Sequence, residues 1–375
     1  MNTASPAARS GPALRPEPVP PRALQGFHDQ RRRSLVKGLL LLAATVLVAY
    51  LAVVLGAFDL TPGAVLGALL GREEGRAALV IWGIRLPRIA ASLVMGWSLG
   101  LAGLGTMSLL KNPLASPFTL GVSQGAAFGA ALAIVAFGAG SLGAPALAGQ
   151  SGGYWSLANA YLLTGCAMLG SLTVTAVIVL LARVRKMSPQ AVILAGVALS
   201  SLSLSGTILV QYLASEVEVA AVVFWTFGDV ARSTWSEIGL LAAVALPVTA
   251  YFLRHRWDLN AMNAGEDLAL GLGVEVERVR LTGMLLCGLL VALGTAFHGV
   301  VAFLGLLAPH IARRLVGADH GLLIPFSCLL GGLLLLLADT VGRLLVGSGS
   351  LPVGVLTSFL GAPLFLYLLL KGGPR

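Results

Sequence analysis

Few ionisable side chains lie inside the apolar parts of this chain, and four of them are spaced to act in pairs. Arg85 and Arg88 stand three residues apart, before an uncharged stretch that continues to Leu110. Asp339 and Arg343 stand four residues apart, where one helix face would let them pair. Two cations at the start of a helix cost stability unless an acidic group meets them. These residues therefore predict charge recognition at a membrane surface.

Groups that could carry covalent chemistry are scarce. No Ser, His and Asp set occurs at a familiar catalytic spacing, and the phosphate-binding pattern GxxxxGK[ST] does not occur. His298 and His310 lie in apolar runs, and His310 has no second ligand at helical spacing, so we predict no metal site. The sequence predicts no enzyme activity for this chain, and an energy source must come from a partner or an ion gradient.

The composition predicts an all-α polytopic membrane protein. Hydrophobic residues make up 57% of the 375 residues, charged residues only 11%, and the mean hydropathy is +0.89. Soluble domains carry about 25% charged residues. The net charge of +9 does not indicate nucleic acid, because the basic residues are scattered between apolar runs. We expect membrane lipid, and no nucleic acid, around this chain.

About ten apolar segments could be transmembrane helices. Nine of them approach the length that a crossing needs, and the eighth is short. They are predicted at 35–58, 89–110, 118–138, 158–182, 190–213, 238–253, 281–301, 302–311, 322–345 and 353–370.

The distribution of Lys and Arg predicts the orientation of these segments. All but six of the 25 lie on the side that holds both termini, which we therefore expect to be cytoplasmic. The Pro-, Ala- and Arg-rich residues 1–34 are interpreted as a disordered cytoplasmic tail, followed by a transmembrane domain at 35–372. The six on the other side are Arg72, Arg76, Arg85, Arg88, Arg232 and Arg343.

A long cytoplasmic loop at 254–280 has the pattern of a docking element. Gly265, Glu266 and Asp267 suit the start of a short helix. Leu268, Leu270 and Leu272 add apolar surface that the loop alone cannot bury; the alternative is a helix lying on the membrane surface.

Nine motifs closely resemble the permease subunits of ABC importers for iron-siderophores, haem and cobalamin. The resemblance runs from about the first span to Lys371. The motifs are RLPR at 85–88, NPLA at 112–115, LGVSQGA at 120–126, LAGVA at 194–198, FWTFG at 224–228, GLLAPHIAR at 305–313, ADTVGR at 338–343, LPVG at 351–354 and GAPLF at 361–365.

The resemblance implies a ten-span permease with the BtuC-like fold of type II importers, in a bacterial inner membrane. It would work as a homodimer or as a heterodimer with a paralogous permease. Two ATP-binding cassette subunits would lie below it, carrying ATP and Mg²⁺, and a periplasmic or lipid-anchored binding protein would dock above it. No cofactor is expected on this chain.

The same resemblance assigns roles to individual residues. Arg85, Arg88 and Arg343 would receive carboxylates of the binding protein, and reversing the charge of Arg85 and Arg88 is expected to weaken that association without affecting folding. Asn112, Leu114 and Ser188 would form the cytoplasmic gate. The segment contacting the ATPase would comprise Gly265, Glu266, Asp267, Leu268, Ala269, Leu272 and Gly273. Separately, the serine-rich fifth segment could give the pathway a mildly polar wall; its serines are Ser200, Ser201, Ser203 and Ser205.

The expected cargo is an iron(III)-siderophore complex, with haem and then cobalamin as alternatives. A proton-driven carrier is a rival of a different class, although the spans hold little besides Asp339, His298 and His310 to relay protons.

Overall fold

The computed structural model describes residues 21–56, 61–72, 75–139, 153–185, 187–346 and 351–371, and these residues contain helices and no β-strand. The helices are α1 (Pro21–Val54), α2 (Pro62–Leu69), α3 (Arg76–Val80), α4 (Leu86–Leu109), α5 (Val122–Ala136), α6 (Gly153–Arg185), α7 (Pro189–Tyr212), α8 (Glu216–Thr226), α9 (Trp235–Arg254), α10 (Arg256–Ala264), α11 (Glu266–Gly271), α12 (Val276–His298), α13 (Leu304–Val316), α14 (His320–Val346) and α15 (Val353–Lys371).

Seven described helices are long and apolar enough to cross a membrane. They are Arg32–Val54, Arg76–Leu109, Ala160–Arg185, Pro189–Tyr212, Trp235–Arg254, Val276–His298 and His320–Leu345. Two shorter apolar helices, Val122–Ala136 and Val353–Tyr367, match the third and tenth predicted segments. The short eighth segment is α13, which ends with Arg313 and Arg314 in its last turn. The all-helical polytopic architecture is confirmed.

The first helix begins at Pro21, well before the predicted start at Leu35. Proline is favoured in the first turn of a helix, and no further proline occurs in the sequence between Pro21 and the end of this helix. The predicted tail at 1–34 therefore extends too far, since its last part is helical. Residues 1–20 lie outside the described part of the chain.

The second span also begins earlier than predicted. One continuous helix covers Arg76–Leu109, with a π-helical turn at Ile81–Arg85 joining α3 to α4. Pro87 lacks an N–H and its ring would clash with the preceding turn of a regular helix, which a wider π turn relieves. Arg85 and Arg88 thus lie inside a helix, and the predicted conflict with a helix N-terminus does not arise.

The centre of the molecule is α4, which packs against α14, α12, α13 and α9. Most of α12 and α14 is buried, whereas α1 and α7 leave most of their apolar surface exposed. An exposed apolar helix face in a membrane protein contacts lipid or another chain. The core therefore lies around α4, with α1 and α7 towards the outside.

Glycines let α4 and α14 approach closely. A Cβ atom on Gly96 would collide with the carbonyl oxygen of Gly331, and a Cβ on Gly331 would collide with that of Gly96. Gly100 faces the backbone of Ser327 in the same way. The glycine cluster expected to mediate packing therefore forms a seam between these two antiparallel helices.

Charged side chains form contacts at two ends of the helical bundle. We call the end that holds Lys111, Glu266 and Arg280 the inner end, and the end that holds Arg88 and Asp339 the outer end. Lys37 near the start of α1 donates to the carbonyl oxygen of Leu315 at 2.6 Å. Lys111 and Arg280, two of the cations assigned to the same side by counting charges, thus share a partner at the inner end, Glu266.

Candidate functional site

At the outer end, Asp339 is held by two arginines. The Nε atom of Arg88 lies 2.7 Å from Oδ1 of Asp339, and its Nη2 atom also lies 2.7 Å from Oδ1. Arg343 approaches the other oxygen, with its Nε 3.4 Å from Oδ2. The predicted pair of Asp339 with Arg343 is therefore confirmed, but Arg88, on a different helix, is the closer partner. The carboxylate ties α14 to α4.

The end of α1 lies against the same group of residues. Arg85 donates to the carbonyl oxygens of Val53 at 2.5 Å and Val54 at 3.1 Å, and Arg343 donates to that of Ala52 at 3.3 Å. The last carbonyl groups of a helix have no partner within it, and they carry partial negative charge. The two arginines stabilise the C-terminal end of α1. We call Arg85, Arg88, Asp339 and Arg343 the outer cluster.

The three arginines predicted to dock a binding protein thus converge, and they are deeply placed. Arg85 is 4% exposed and Arg88 is 8% exposed. Because Arg88 neutralises a buried carboxylate, reversing its charge would set two carboxylates against each other. The expectation that reversal of Arg88 leaves folding intact therefore no longer holds; a docking role for the three arginines stays a prediction.

At the inner end, the predicted gate residues stabilise local turns. The side chain of Asn112 accepts a hydrogen bond from the amide of Leu114 at 2.8 Å, just after Lys111, which has a left-handed φ of 48°. Leu114 is exposed. Ser188 caps α7 by accepting from the amide of Ala191 at 3.3 Å. These contacts give the gate residues defined geometry and leave Leu114 available for a contact.

The segment predicted to contact an ATPase begins with an ion-pair network. Glu266 lies 3.1 Å from Arg280 and 3.6 Å from Lys111, which follows α4. Burial opposes ionisation of Glu266, but the hydrogen bond and charge of Arg280, with the charge of Lys111, outweigh it and lower the pKa of this carboxyl. Arg280 also donates to the carbonyl oxygen of Leu109 at 3.3 Å. We call Lys111, Glu266 and Arg280 the inner cluster.

The apolar side chains of this segment split into two sets. Ala269 is buried, while Leu268, Leu270 and Leu272 are exposed. Gly273, which ends the segment, has a φ of 81° that suits glycine. The prediction that this segment presents apolar surface that the loop cannot bury is confirmed.

A second inner-end network was not predicted from the sequence. The ring of His320 is fully buried, with Nε2 2.7 Å from the hydroxyl of Ser108 and Nδ1 2.7 Å from Oδ1 of Asn260. The amide nitrogen of Asn260 donates to Asp319 at 2.7 Å. These contacts join α4, α10 and α14. The only sequence signal was a polar residue near the ends of two spans, Ser108 and His320.

A cavity of about 450 Å³ lies between α5, α7, α8 and α15. All of its lining residues are uncharged. Its aromatic walls include Phe118, Phe227 and Phe359, and its polar atoms come from Gln124, Thr207, Gln211, Thr226 and Ser358. Exposed Leu204 and Phe359 show that it opens at the surface of this chain.

The serines predicted to line a pathway lie elsewhere on α7. Ser200, Ser201 and Ser203 are not among the residues that line this cavity, whereas Thr207 and Gln211, further along the helix, are. Ser203 is buried and Ser201 is exposed. The cavity therefore does not include these serines, and their role in a pathway stays a prediction.

No group of three His, Cys, Asp or Glu side chains that could hold a metal ion occurs in the described ranges. His310 donates from Nδ1 to the carbonyl oxygen of Leu306 at 2.8 Å and contacts the ring of Phe365. His298 makes the corresponding contact to Gly294 at 3.1 Å. Both histidines therefore bond to their own helices.

Comparison with known proteins supports the motif resemblance. The profile of the FecCD transport family matches residues 42–371. A Methanocaldococcus jannaschii protein, provisionally described as an ABC transporter permease, is 48% identical over 92% of this chain and 97% of its own length. The vitamin B12 import system permease protein BtuC of Vibrio cholerae is 35% identical over 78% of this chain and 83% of its own length.

A solved structure agrees at the level of the fold. It shows the inward-facing conformation of a provisionally assigned metal-chelate type ABC transporter, with a TM-score of 0.75 and 30% identity. The match covers 89% of this chain and 98% of the other. The chain belongs to the FecCD transport family, and it is a permease of an ABC importer.

Proposed function

We propose that this permease passes an iron(III)-siderophore complex from a binding protein to the cytoplasm. The observation that carries the proposal is the cavity of about 450 Å³, whose lining is aromatic and neutral polar. Its volume is in the range of about 300–1,000 Å³ typical of sites for drug-sized molecules. A bare metal ion would need carboxylate, imidazole or thiolate ligands. A chelate encloses its metal and presents organic surface, which suits this lining.

The transport cycle would draw its energy from partner subunits. We infer two ATP-binding subunits, which carry ATP and Mg²⁺, at the inner end, where Leu268, Leu270 and Leu272 are exposed. This chain would hold no cofactor of its own. The apolar exposed faces of α1 and α7 are available to lipid and to a second permease, either a copy of this chain or a paralogue.

The outer cluster supports docking of a periplasmic or lipid-anchored binding protein. Arg88 and Arg343 hold one carboxylate there, and Arg85 lies beside them at the end of α1, so the cluster carries excess positive charge. Carboxylates on a partner would be attracted to that charge, and the attraction would weaken with salt. The outer end would then face the periplasm, and both termini the cytoplasm, in a bacterial inner membrane. Asn112, Leu114 and Ser188 would close the pathway at the inner end.

Reconstituted uptake tests the cargo. The chain would be purified with its ATP-binding subunits, placed in proteoliposomes with ATP inside, and supplied with its binding protein and a radiolabelled cargo. We expect iron-siderophore uptake that vanadate stops and that requires internal ATP. Replacing residues 266–273 by a flexible linker should abolish it while the chain remains folded.

Other outcomes would change the proposal. Uptake of haem or cobalamin alone would reject the siderophore as cargo. Both stay candidates, because one relative is named as a hemin transport permease and another as a vitamin B12 permease. Uptake that persists with vanadate and stops with an uncoupler would instead support a proton-driven carrier.

A further inference from the structure

Helices α4 and α14, which carry most of the outer cluster, contact each other at both ends and in the middle. Arg88 of α4 meets Asp339 of α14 at the outer end, Gly96 meets Gly331 along the seam, and Ser108 meets His320 at the inner end. From one contact to the next, the residue number rises along α4 and falls by nearly the same amount along α14, as expected for antiparallel helices. Contacts at both ends and a close seam between them oppose sliding and separation, so α4 and α14 act as one body.

A short, partly buried chain of hydrogen bonds connects this body to the segment that faces the ATPase. Asn260 lies on α10, directly before the exposed leucines of α11. Its Oδ1 atom accepts from the His320 backbone amide at 3.0 Å and from the ring Nδ1 at 2.7 Å, and its Nδ2 donates to Asp319 at 2.7 Å.

The pattern fixes the proton arrangement of the ring. Asn260 offers an oxygen to Nδ1, so this nitrogen carries the proton. Nε2 is then the acceptor for the hydroxyl of Ser108 on α4. Every polar atom of the His320 ring is therefore paired in one tautomer, and α10 cannot shift relative to α4 and α14 without breaking two or more of these bonds.

The ion pairs nearby are of a different kind. Glu266 is 41% exposed on its side chain and pairs with cations at 3.1 and 3.6 Å. Exposed pairs at such distances are screened and exchange readily with water. The Asn260 to His320 contact is the better candidate for transmitting force, because the imidazole of His320 is fully buried and Oδ1 of Asn260 accepts two hydrogen bonds from this residue at once.

We propose that Asn260, His320 and Ser108 are positioning residues that couple movement of the ATPase-facing segment to the α4 and α14 body. The proposal rests on the proposed ATP-driven import. When α10 and α11 follow an ATPase subunit, the bond to His320 would carry that displacement into α14, and the bond from His320 to Ser108 would carry it into α4. This network would couple ATP hydrolysis to transport.

The test measures molecules transported per ATP hydrolysed by the complete importer in proteoliposomes. Asn260→Leu keeps the branched shape of the side chain and removes the amide. We expect its basal ATP hydrolysis to stay within about twofold of wild type, and its transport per ATP to fall by about tenfold, within the usual range of coupling between sites. The matched control is Asn263→Leu, an exposed amide on the same helix, which should leave the ratio unchanged.

A second variant tests the proposal even if Asn260→Leu prevents the importer from assembling. Ser108→Ala removes one hydroxyl at the far end of the network, away from the ATPase-facing surface, and should lower transport per ATP by about threefold. Its control is Thr249→Val, which removes a different interhelical bond to α4, the one from Trp97 at 3.1 Å. Equal ratios in Ser108→Ala and wild type would overturn the proposal, as would a proportional fall of transport and hydrolysis in Asn260→Leu. A wild-type complex in which hydrolysis drives no uptake would instead reject ATP-driven import.

Discussion

The outer and inner clusters use the same chemistry in opposite surroundings. In the outer cluster, a fully buried carboxylate lies between Arg88 and Arg343, which are themselves largely buried. In the inner cluster, the side chain of Glu266 is 41% exposed and lies between Arg280 and Lys111. Each cluster therefore places one carboxylate between two cations, and the two clusters differ in how deeply that carboxylate is buried.

The difference in burial determines how easily each cluster can be opened. Removing one partner of a buried ion pair leaves an uncompensated charge in a medium of low dielectric constant. An exposed carboxylate that loses its partner is rehydrated at little cost. The outer cluster therefore acts as a fixed joint between α1, α4 and α14, while the inner cluster can separate during a transport cycle.

The largest effect is expected at the buried carboxylate. Asp339→Asn leaves Arg88 and Arg343 buried without a counter-ion, and should destabilise the protein by about 3–5 kcal/mol. Thermal unfolding in detergent measures the change. The control is Asp258→Asn, a partly exposed carboxylate paired with His255, which should cost less than about 1 kcal/mol. Equal unfolding temperatures for Asp339→Asn and wild type would show that the outer cluster is not a fixed joint.

A triple variant separates the joint from docking. Arg88→Met, Asp339→Leu and Arg343→Met together replace all the paired charges by apolar groups, so stability should return to within about 2 kcal/mol of wild type. If the arginines also attract the binding protein, its affinity should still be about tenfold weaker, as measured by association with the permease in nanodiscs.

The control for the triple variant is Arg232→Gln, an exposed arginine outside the outer cluster. It should change the association by less than about threefold, since charges at the edge of an interface act mainly on encounter rates. Unchanged affinity in the stable triple variant would reject the docking role of Arg88 and Arg343 while leaving their structural role in place.

Much of the fold could be predicted because membrane crossing leaves a simple signal in the chain. The apolar segments identified the spans, and the shared motifs identified the family. The residues between spans carried no such signal, since α2 and α8 are short. Within the second span, the π turn before Pro87 depends on local geometry. Hydropathy along the chain reveals none of these elements.

The contacts of the site were harder to predict than its residues. Asp339 and Arg343 could be paired from their spacing on one helix, but Arg88 lies 251 residues away, and only the packing of α4 on α14 brings it to Asp339. The same holds for Ser108, Asn260 and His320, which come together only where α4, α10 and α14 meet. Long-range pairs of this kind require the tertiary arrangement.

A smaller effect is expected at the inner cluster. Glu266→Gln removes a partly exposed negative charge and should reduce stability by about 0.2–1 kcal/mol, with a cost that shrinks as salt is raised. Thermal unfolding at low and high salt measures this. The control is Asp267→Asn, the neighbouring exposed carboxylate, which should show a smaller difference between the two salt concentrations. A cost comparable to that of Asp339→Asn would remove the contrast between the clusters.

The smallest effect is the pH dependence of the same pair. Because Arg280 and Lys111 lower the pKa of Glu266 below its ordinary value of 4.5, the folded state favours the ionised carboxylate. Its contribution to stability is then fully present above that ordinary value, and it is lost as the pH falls through the lower, folded-state pKa. The difference in unfolding temperature between wild type and Glu266→Gln should stay constant from about pH 8 to about pH 6, and shrink towards zero below about pH 4. A difference that instead grew on acidification would mean that the two cations do not stabilise this carboxylate, and that the inner cluster is held together by something other than its charges.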